Sequence, residues 1–236
     1  MISIAKVNPT KLLVEQVKWK CKVYSSMFST VIIVNIIFGL LFFNGTGSMG
    51  MTSSFVEYRE TSYTMDVHFI YSIIVLFIVG WMFANKRMLN QNFSIVNTII
   101  NDTYSSFAFL ALLSLFSVVS ALSTMYILTF VKAIFLSGDL PLVYYGIDAG
   151  NVLLFFAVLL LASSLGYFAR TTFDYSKVLF IMIIVFFIVV ANIIELDFFY
   201  FFFGVSTGVI VIRSLIYSIL CWCLTWLIKR RCEVIR

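Results

Sequence analysis

The stretch Val178–Ile194 reads VLFIMIIVFFIVVANII and contains a single polar residue, Asn192. A run of roughly 20 apolar residues crosses the hydrocarbon core of a bilayer as an α-helix, so this stretch predicts a membrane span. Comparable apolar runs recur along the rest of the chain and predict six spans in all. Their approximate ranges are 26–43, 66–84, 106–135, 150–168, 178–194 and 209–228.

The composition agrees with a membrane protein. The chain has 236 residues, of which 62% are hydrophobic and only 11% are charged, and its mean hydropathy is +1.05. A soluble domain carries about 25% charged residues, so this chain lacks the polar surface that a water-soluble globule needs. Six spans with short loops use nearly all of residues 1–236. We therefore predict an all-α integral membrane protein with a single transmembrane domain and no separate catalytic domain.

The positive charges indicate the orientation of these spans. Thirteen of the sixteen Lys and Arg residues fall on the side that carries both termini, whereas seven of the eleven acidic residues fall on the other side. Lys and Arg accumulate in cytoplasmic loops, so both termini are expected in the cytoplasm. The basic pI follows from this topology and gives no argument for a nucleic-acid partner.

The residues before the first span predict an amphipathic helix over residues 8–24. Asn8 and Pro9 form a favourable helix start, with Asn as N-cap and Pro at the first helical position. Such a helix lies in the membrane interface as an elbow, either as an anchor alone or also in contact with a cytoplasmic partner. Its polar face comprises Lys11, Glu15, Lys18 and Lys22, and its apolar face comprises Leu13, Val17, Cys21 and Tyr24.

The loop between the second and third spans begins with Lys86 and Arg87 and is therefore expected in the cytoplasm. Its later part predicts a short amphipathic helix, which is either a connector lying on the bilayer or a coupling helix that docks into a partner. The candidate coupling residues are Gln91, Phe93, Val96, Asn97, Ile99, Asn101 and Asp102 in this loop, with Lys18 and Lys22 on the elbow.

The third span is unusually long, and small residues recur along it at spacings of three and four. Small hydroxyl residues allow close helix packing in membranes, so we expect a packing face, with the lining of a transport path as the alternative. The same reasoning applies to Ser163, Ser164 and Gly166 in the fourth span. The residues of the third-span face are Ser114, Ser117, Ser120, Ala121 and Thr124.

The outer connection before the sixth span is aromatic and carries unusual charges. An interfacial aromatic belt or a hydrophobic gate explains Phe198, Phe199, Phe201 and Phe202. Arg213 lies in an otherwise apolar segment, where a charge needs a partner. We expect it to pair with Glu195 or Asp197 and to serve a structural role.

Enzymatic signatures are missing from the sequence. It contains no Gly-x-x-x-x-Gly-Lys-Ser/Thr, no Gly-x-Ser-x-Gly and no His-Glu-x-x-His motif. The Gly45-x-Gly47-x-x-Gly50 pattern follows a span and faces outward, so it predicts a flexible loop rather than a dinucleotide site. His68 is the sole histidine and is expected to be structural. We therefore expect no catalytic, cofactor or metal site in this chain.

These features together resemble the membrane subunits of bacterial ABC transporters of the ABC-2 (type V exporter-like) kind. The resemblance rests on the elbow, the six spans, the helical loop between spans two and three, the aromatic outer connection and the short basic tail. It is closest to small permeases for export of, or immunity to, antimicrobial peptides. The Asn-rich character of the coupling segment departs from the Glu-rich segment of many relatives.

The resemblance implies a multi-pass permease in the bacterial cell membrane that exports an amphipathic peptide, drug or lipid-like substrate. It further implies a second permease copy, as a homodimer or heterodimer, and a separate cytoplasmic ATPase that binds ATP and Mg²⁺. Asn35 and Asn192 are then polar candidates for the path, with the four phenylalanines as outer gate. The alternatives are a substrate-binding or immunity protein without ATPase coupling, and a secondary transporter.

Overall fold

The structure, a computed structural model, describes residues 9–41, 47–53, 56–62, 66–84, 99–135, 149–193 and 206–234. Within these ranges the chain forms seven helices and one two-stranded hairpin. The elements are α1 (Pro9–Val23), α2 (Ser25–Leu41), β1 (Gly47–Ser53), β2 (Val56–Ser62), α3 (Asp66–Phe83), α4 (Ile99–Phe135), α5 (Ala149–Tyr175), α6 (Lys177–Ile193) and α7 (Thr207–Val234).

Several helices have the length and composition of membrane spans. In the described part of the chain, three segments satisfy both conditions by themselves: Asn101–Leu128, Ala149–Tyr175 and Thr207–Arg231. The pair α1 and α2, bent by 53°, would add a fourth if it forms one span, and His68–Phe83 is a shorter apolar helix. The predicted helical membrane class is therefore confirmed at this level, and every predicted span overlaps one of the helices.

The outer surface of the bundle is apolar. Val178 and Met182 on α6 are each 67% exposed, and Leu41 at the end of α2 is 69% exposed. Large exposed apolar surfaces mark sites that water does not cover in the native protein. Their presence on successive helices indicates that lipid surrounds this bundle.

Helix α5 is central, and its contact with α3 is close. Gly80 of α3 lies against the backbone of Ser163, and Gly166 of α5 lies against the backbone of Phe77, so that a Cβ at either glycine would meet a backbone carbonyl oxygen. Small residues permit such approach between membrane helices. The predicted packing role of the small residues in α5 is confirmed.

The small-residue face of α4 also packs against other helices. Ser114 and Ser117 are fully buried, and the Ser114 and Ser163 hydroxyls lie 3.4 Å apart. Asn35 on α2 donates to the Ser120 hydroxyl at 3.2 Å. This face of α4 therefore packs against α2 and α5, as the first of the two interpretations predicts.

Three helices extend beyond their predicted ends, and one of them is α7, which continues to Val234. Helix α4 begins at Ile99 and has 37 residues, about 55 Å at 1.5 Å per residue. Helix α5 continues to Tyr175, so the connection between the predicted spans 150–168 and 178–194 is reduced to Ser176. The Arg170–Asp174 ion pair of 3.2 Å, one turn apart, supports the added helix. The Ser176 hydroxyl accepts the Leu179 amide at 3.3 Å and caps α6.

The hairpin is an addition to the predicted all-helical class. Strands β1 and β2 pair antiparallel, with Gly47 opposite Ser62 and Ser53 opposite Val56. The flexible-loop prediction was therefore wrong for Gly47 and Gly50, which lie in β1. The strands lack the Asn-Gly or Asp-Gly turn that announces a hairpin in sequence, which explains why it was missed.

Candidate functional site

Helix α1 presents one charged face outward and buries a second polar line. Lys18 and Lys22 are exposed, as the amphipathic pattern predicts. On the other side, Gln16, Lys20 and Tyr24 are buried, and their spacing of four places them on one face. Lys20 is only 1% exposed. A lysine thus occupies the centre of the face that α1 packs against the bundle.

Aromatic contacts fix the elbow between α1 and α2. Tyr24 packs edge-on against Phe83 of α3 at 4.9 Å between ring centroids, and against Phe109 of α4 at 5.9 Å. Trp19 contacts Tyr24 from α1 at 6.3 Å. Edge-to-face pairs at these distances are favourable. They hold the end of α1 beside the end of α3 and beside Phe109 of α4, next to Lys20.

The Lys20 ammonium binds the beginning of α4. Its Nζ lies 2.9 Å from Asp102 Oδ1, 2.8 Å from Ser105 Oγ and 2.7 Å from Ser106 Oγ. It also donates to the Asp102 carbonyl oxygen at 3.1 Å. Both serine hydroxyls donate in turn to that carbonyl. The buried Lys20 charge is therefore surrounded by acceptors from a single turn of α4.

A second lysine reaches the same carboxylate from the last helix. Lys229 Nζ of α7 donates to Asp102 Oδ2 at 3.1 Å and to the Tyr167 hydroxyl of α5. Its Nζ also lies 4.9 Å from the centre of the Tyr167 ring, a cation–π distance. We call Lys20, Asp102, Lys229 and Tyr167 the charged cluster. It joins α1, α4, α5 and α7.

The charged cluster carries one more positive charge than negative charge. Lys20, Asp102 and Lys229 are 1%, 8% and 9% exposed, and buried charges are costly unless each is paired and hydrogen-bonded. Asp102 uses both carboxylate oxygens, one for each ammonium. It is the single anion that keeps two cations from separate helices together.

Five of the nine candidate coupling residues lie in the described part of the chain. Lys18 and Lys22 lie exposed on α1, Asn101 is half-buried, and Asp102 is buried. Asp102 belongs to α4 itself rather than to a separate short helix, and its carboxylate lies inside the bundle. Ile99 is the first residue of α4. The remaining coupling candidates, Gln91, Phe93, Val96 and Asn97, lie outside the described residues.

The candidate path residues are only partly described. Asn35 is buried in the contact of α2 with α4, where it donates to Ser120. Asn192 lies near the end of α6. The predicted gate of Phe198, Phe199, Phe201 and Phe202 falls outside the described residues and stays a prediction.

Arg213 and His68, which the sequence analysis singled out, have different surroundings. Arg213 is half-buried on α7, whereas its predicted partners Glu195 and Asp197 lie outside the described residues, so that pairing stays a prediction. His68 is 7% exposed near Gly39, and its Nδ1 atom has no hydrogen-bond partner among the described residues.

Comparison with known proteins gives no match: no family model, curated protein or solved structure matches this chain.

Proposed function

We propose that the chain is the membrane-spanning permease subunit of an ABC transporter of the ABC-2 kind. It exports an amphipathic peptide, drug or lipid-like substrate across the bacterial cell membrane, using ATP that a separate cytoplasmic subunit hydrolyses. It crosses the membrane six times, with both termini in the cytoplasm, and works with a second permease copy. The observation that carries the proposal is the charged cluster.

The charged cluster supports the proposal because of its place in the chain. Segment 85–98, where the ATPase is proposed to dock, leads directly into α4, and Asp102 lies in the first turn of that helix. A push on this segment displaces Asp102, which is bonded to Lys20 of α1 and Lys229 of α7. The same carboxylate therefore links the docking segment to the elbow and to the last helix.

This linkage gives the movement a route to the rest of the bundle. Lys229 is bonded to Tyr167 of α5, and α5 in turn packs closely on α3 through Gly80 and Gly166. Helices packed this closely move together rather than deform. A displacement at the cytoplasmic end is thereby passed to α3, α5 and α7 as one unit.

The direct test is to purify the tagged chain in mild detergent from its native cell and to identify the soluble proteins that accompany it by mass spectrometry. A P-loop ATPase in equal amount is the expected result. An intact native complex without an ATPase would favour the substrate-binding or immunity alternative. Transport that follows an ion gradient without ATP would favour a secondary transporter.

Substitutions then test the docking segment. Phe93→Asp and Ile99→Asp should abolish transport and ATPase stimulation while membrane insertion persists, because a charge disrupts an apolar docking face. Tyr175→Asp is the matched control, since it adds the same charge at the exposed end of α5. Equal activity of all three variants would contradict a docking role for segment 85–102.

A triple variant tests the linkage itself. Lys20→Met, Asp102→Leu and Lys229→Met together replace all three buried charges with apolar side chains, a change that buried ion clusters often tolerate. We expect the variant to fold and to bind the ATPase but to lose stimulation of ATP hydrolysis by substrate. Full stimulation in this variant would show that the cluster only stabilises the fold.

A further inference from the structure

A groove of about 450 Å³ runs between α2 and α3 beside the elbow. Its walls are mainly apolar and include Met27 and Val34 of α2 and Val75 and Val79 of α3. Sites for small apolar ligands in proteins have volumes of this size, about 300–1,000 Å³. The groove is separate from the charged cluster and takes no part in the proposed coupling.

We call the end of the groove that carries its hydroxyl side chains the polar end, although Val23, Tyr24 and Met27 also line that end. Ser26 and Thr30 line it near the start of α2, whereas Val34 lies two turns further along, about 12 Å from Ser26 at 1.5 Å per residue. The contact of Tyr24 with Phe83 places the start of α2 level with the end of α3. The polar end is thus the end that lies at the elbow.

Positive charge accompanies the polar end. Lys22 is exposed on α1 and directly precedes Val23, which lines the groove. Lys18 is exposed one turn earlier on the same face. If α1 lies in the membrane interface, as its amphipathic pattern predicts, these ammonium groups lie at the level of lipid headgroups. Charge and polarity therefore both favour an anionic group at this end.

The groove opens sideways, toward the region that lipid occupies. Val23, Ile78 and Met82 line it and are 42%, 50% and 52% exposed. A ligand can therefore enter from the bilayer without passing through the bundle. A headgroup at the elbow and a chain along the apolar walls match the two ends of a phospholipid.

We propose that this groove binds an anionic phospholipid of the surrounding leaflet. One acyl chain lies between α2 and α3, and the phosphate is held by the Lys22 ammonium and the Ser26 hydroxyl at the elbow. The proposal requires that the chain sits in a bilayer with α1 at its interface, and it does not require an ATPase partner. Failure of the lipid proposal would leave the ATPase proposal untouched, and failure of the ATPase proposal would leave the lipid proposal untouched.

The test is to reconstitute the full chain in phosphatidylcholine vesicles that contain spin-labelled phosphatidylglycerol or spin-labelled phosphatidylcholine. Electron paramagnetic resonance then measures the motionally restricted fraction of each lipid. One lysine near the surface is expected to favour phosphatidylglycerol by about fivefold. Lys22→Gln should lower the preference for phosphatidylglycerol by about fivefold, whereas Lys11→Gln, an exposed lysine earlier on α1, should leave it unchanged. Equal restriction of the two lipids in the unmodified chain would overturn the proposal.

A pair of tryptophan variants tests the groove itself. Ile78 and Ile74 lie one turn apart on α3 and are each 50% exposed, but only Ile78 lines the groove. Ile78→Trp should reduce the restricted phosphatidylglycerol fraction, and Ile74→Trp should not. Indistinguishable variants would overturn the proposal. Loss of substrate-stimulated ATPase in Ile78→Trp alone, with lipid binding unchanged, would instead assign the groove to the exported substrate.

Discussion

Replacing Asp102 with asparagine removes the anion of the charged cluster and keeps the shape of the side chain. The Lys20 and Lys229 ammonium groups then remain buried without a counter-charge. Breaking a buried ion pair by removing one partner costs about 3–5 kcal/mol. Lys20 keeps the hydroxyls of Ser105 and Ser106 as acceptors, so we expect the lower part of this range, about 3–4 kcal/mol.

Thermal unfolding in detergent measures this loss. For a chain of this length, 1 kcal/mol corresponds to about 2–4 °C in Tm, so Asp102→Asn should lower Tm by about 10 °C. Asp174→Asn is the comparison, because it breaks the pair with Arg170 inside one helix. A pair of that kind contributes about 0.5 kcal/mol, which corresponds to about 1–2 °C.

The triple variant separates the effect of charge from the effect of packing. With Lys20→Met, Asp102→Leu and Lys229→Met together, no unpaired charge is buried, and most of the lost stability should return. The reasoning is refuted if Asp102→Asn loses no more stability than Asp174→Asn. It is also refuted if the triple variant is as unstable as Asp102→Asn.

Five further substitutions test the packing. Gly80→Ala should destabilise the chain by about 1–3 kcal/mol, because the new Cβ meets the Ser163 carbonyl oxygen. Gly208→Ala, which has open space around it, should be neutral or should stabilise the chain by up to about 1 kcal/mol. Thermal unfolding measures the difference between the two variants. Ser164→Ala should be neutral or stabilising, since its hydroxyl has no partner among the described residues. Ser163→Ala should cost about 0.6 kcal/mol of stability. A larger loss of stability in Ser164→Ala than in Ser163→Ala would contradict the hydrogen-bond assignment. Asn35→Leu should lower Tm by a few degrees at most, because it loses one hydrogen bond worth about 0.6 kcal/mol. It should leave transport per folded molecule unchanged. Loss of transport at unchanged stability would indicate that Asn35 lines the transport path.

The helices of the bundle could be predicted from the sequence because long apolar runs define both their existence and their environment. Their ends could not. The segment after Tyr167 contains Arg170, Thr171 and Asp174, which suggest a loop by polarity alone. In the structure, Arg170 and Asp174 pair one turn apart and the Thr171 hydroxyl donates to the Tyr167 carbonyl, so polar side chains are satisfied within the helix.

The charged cluster was only partly predictable. Asp102 was a candidate because of its position in the coupling segment, but its partners are 82 and 127 residues away. No local pattern encodes such distant pairs. Lys20 did leave a signal, since it lies on the same helical face as Gln16 and Tyr24. No sequence signal indicated a buried role for Lys229, because it begins a basic run that the orientation of the last span already explains.

The order in which the ribosome makes the three charges has a consequence for biogenesis. A nascent chain that has reached the end of α4 already holds Lys20 and Asp102, which form a neutral pair. Lys229 follows 127 residues after Asp102, which is about 6–25 s later at ordinary translation rates. Lys229 is therefore the last of the three charges to be made, after all the other helices of the bundle. A chain that is cut short before α7 lacks Lys229, and its Asp102 Oδ2 atom therefore loses the ammonium partner that the last helix supplies.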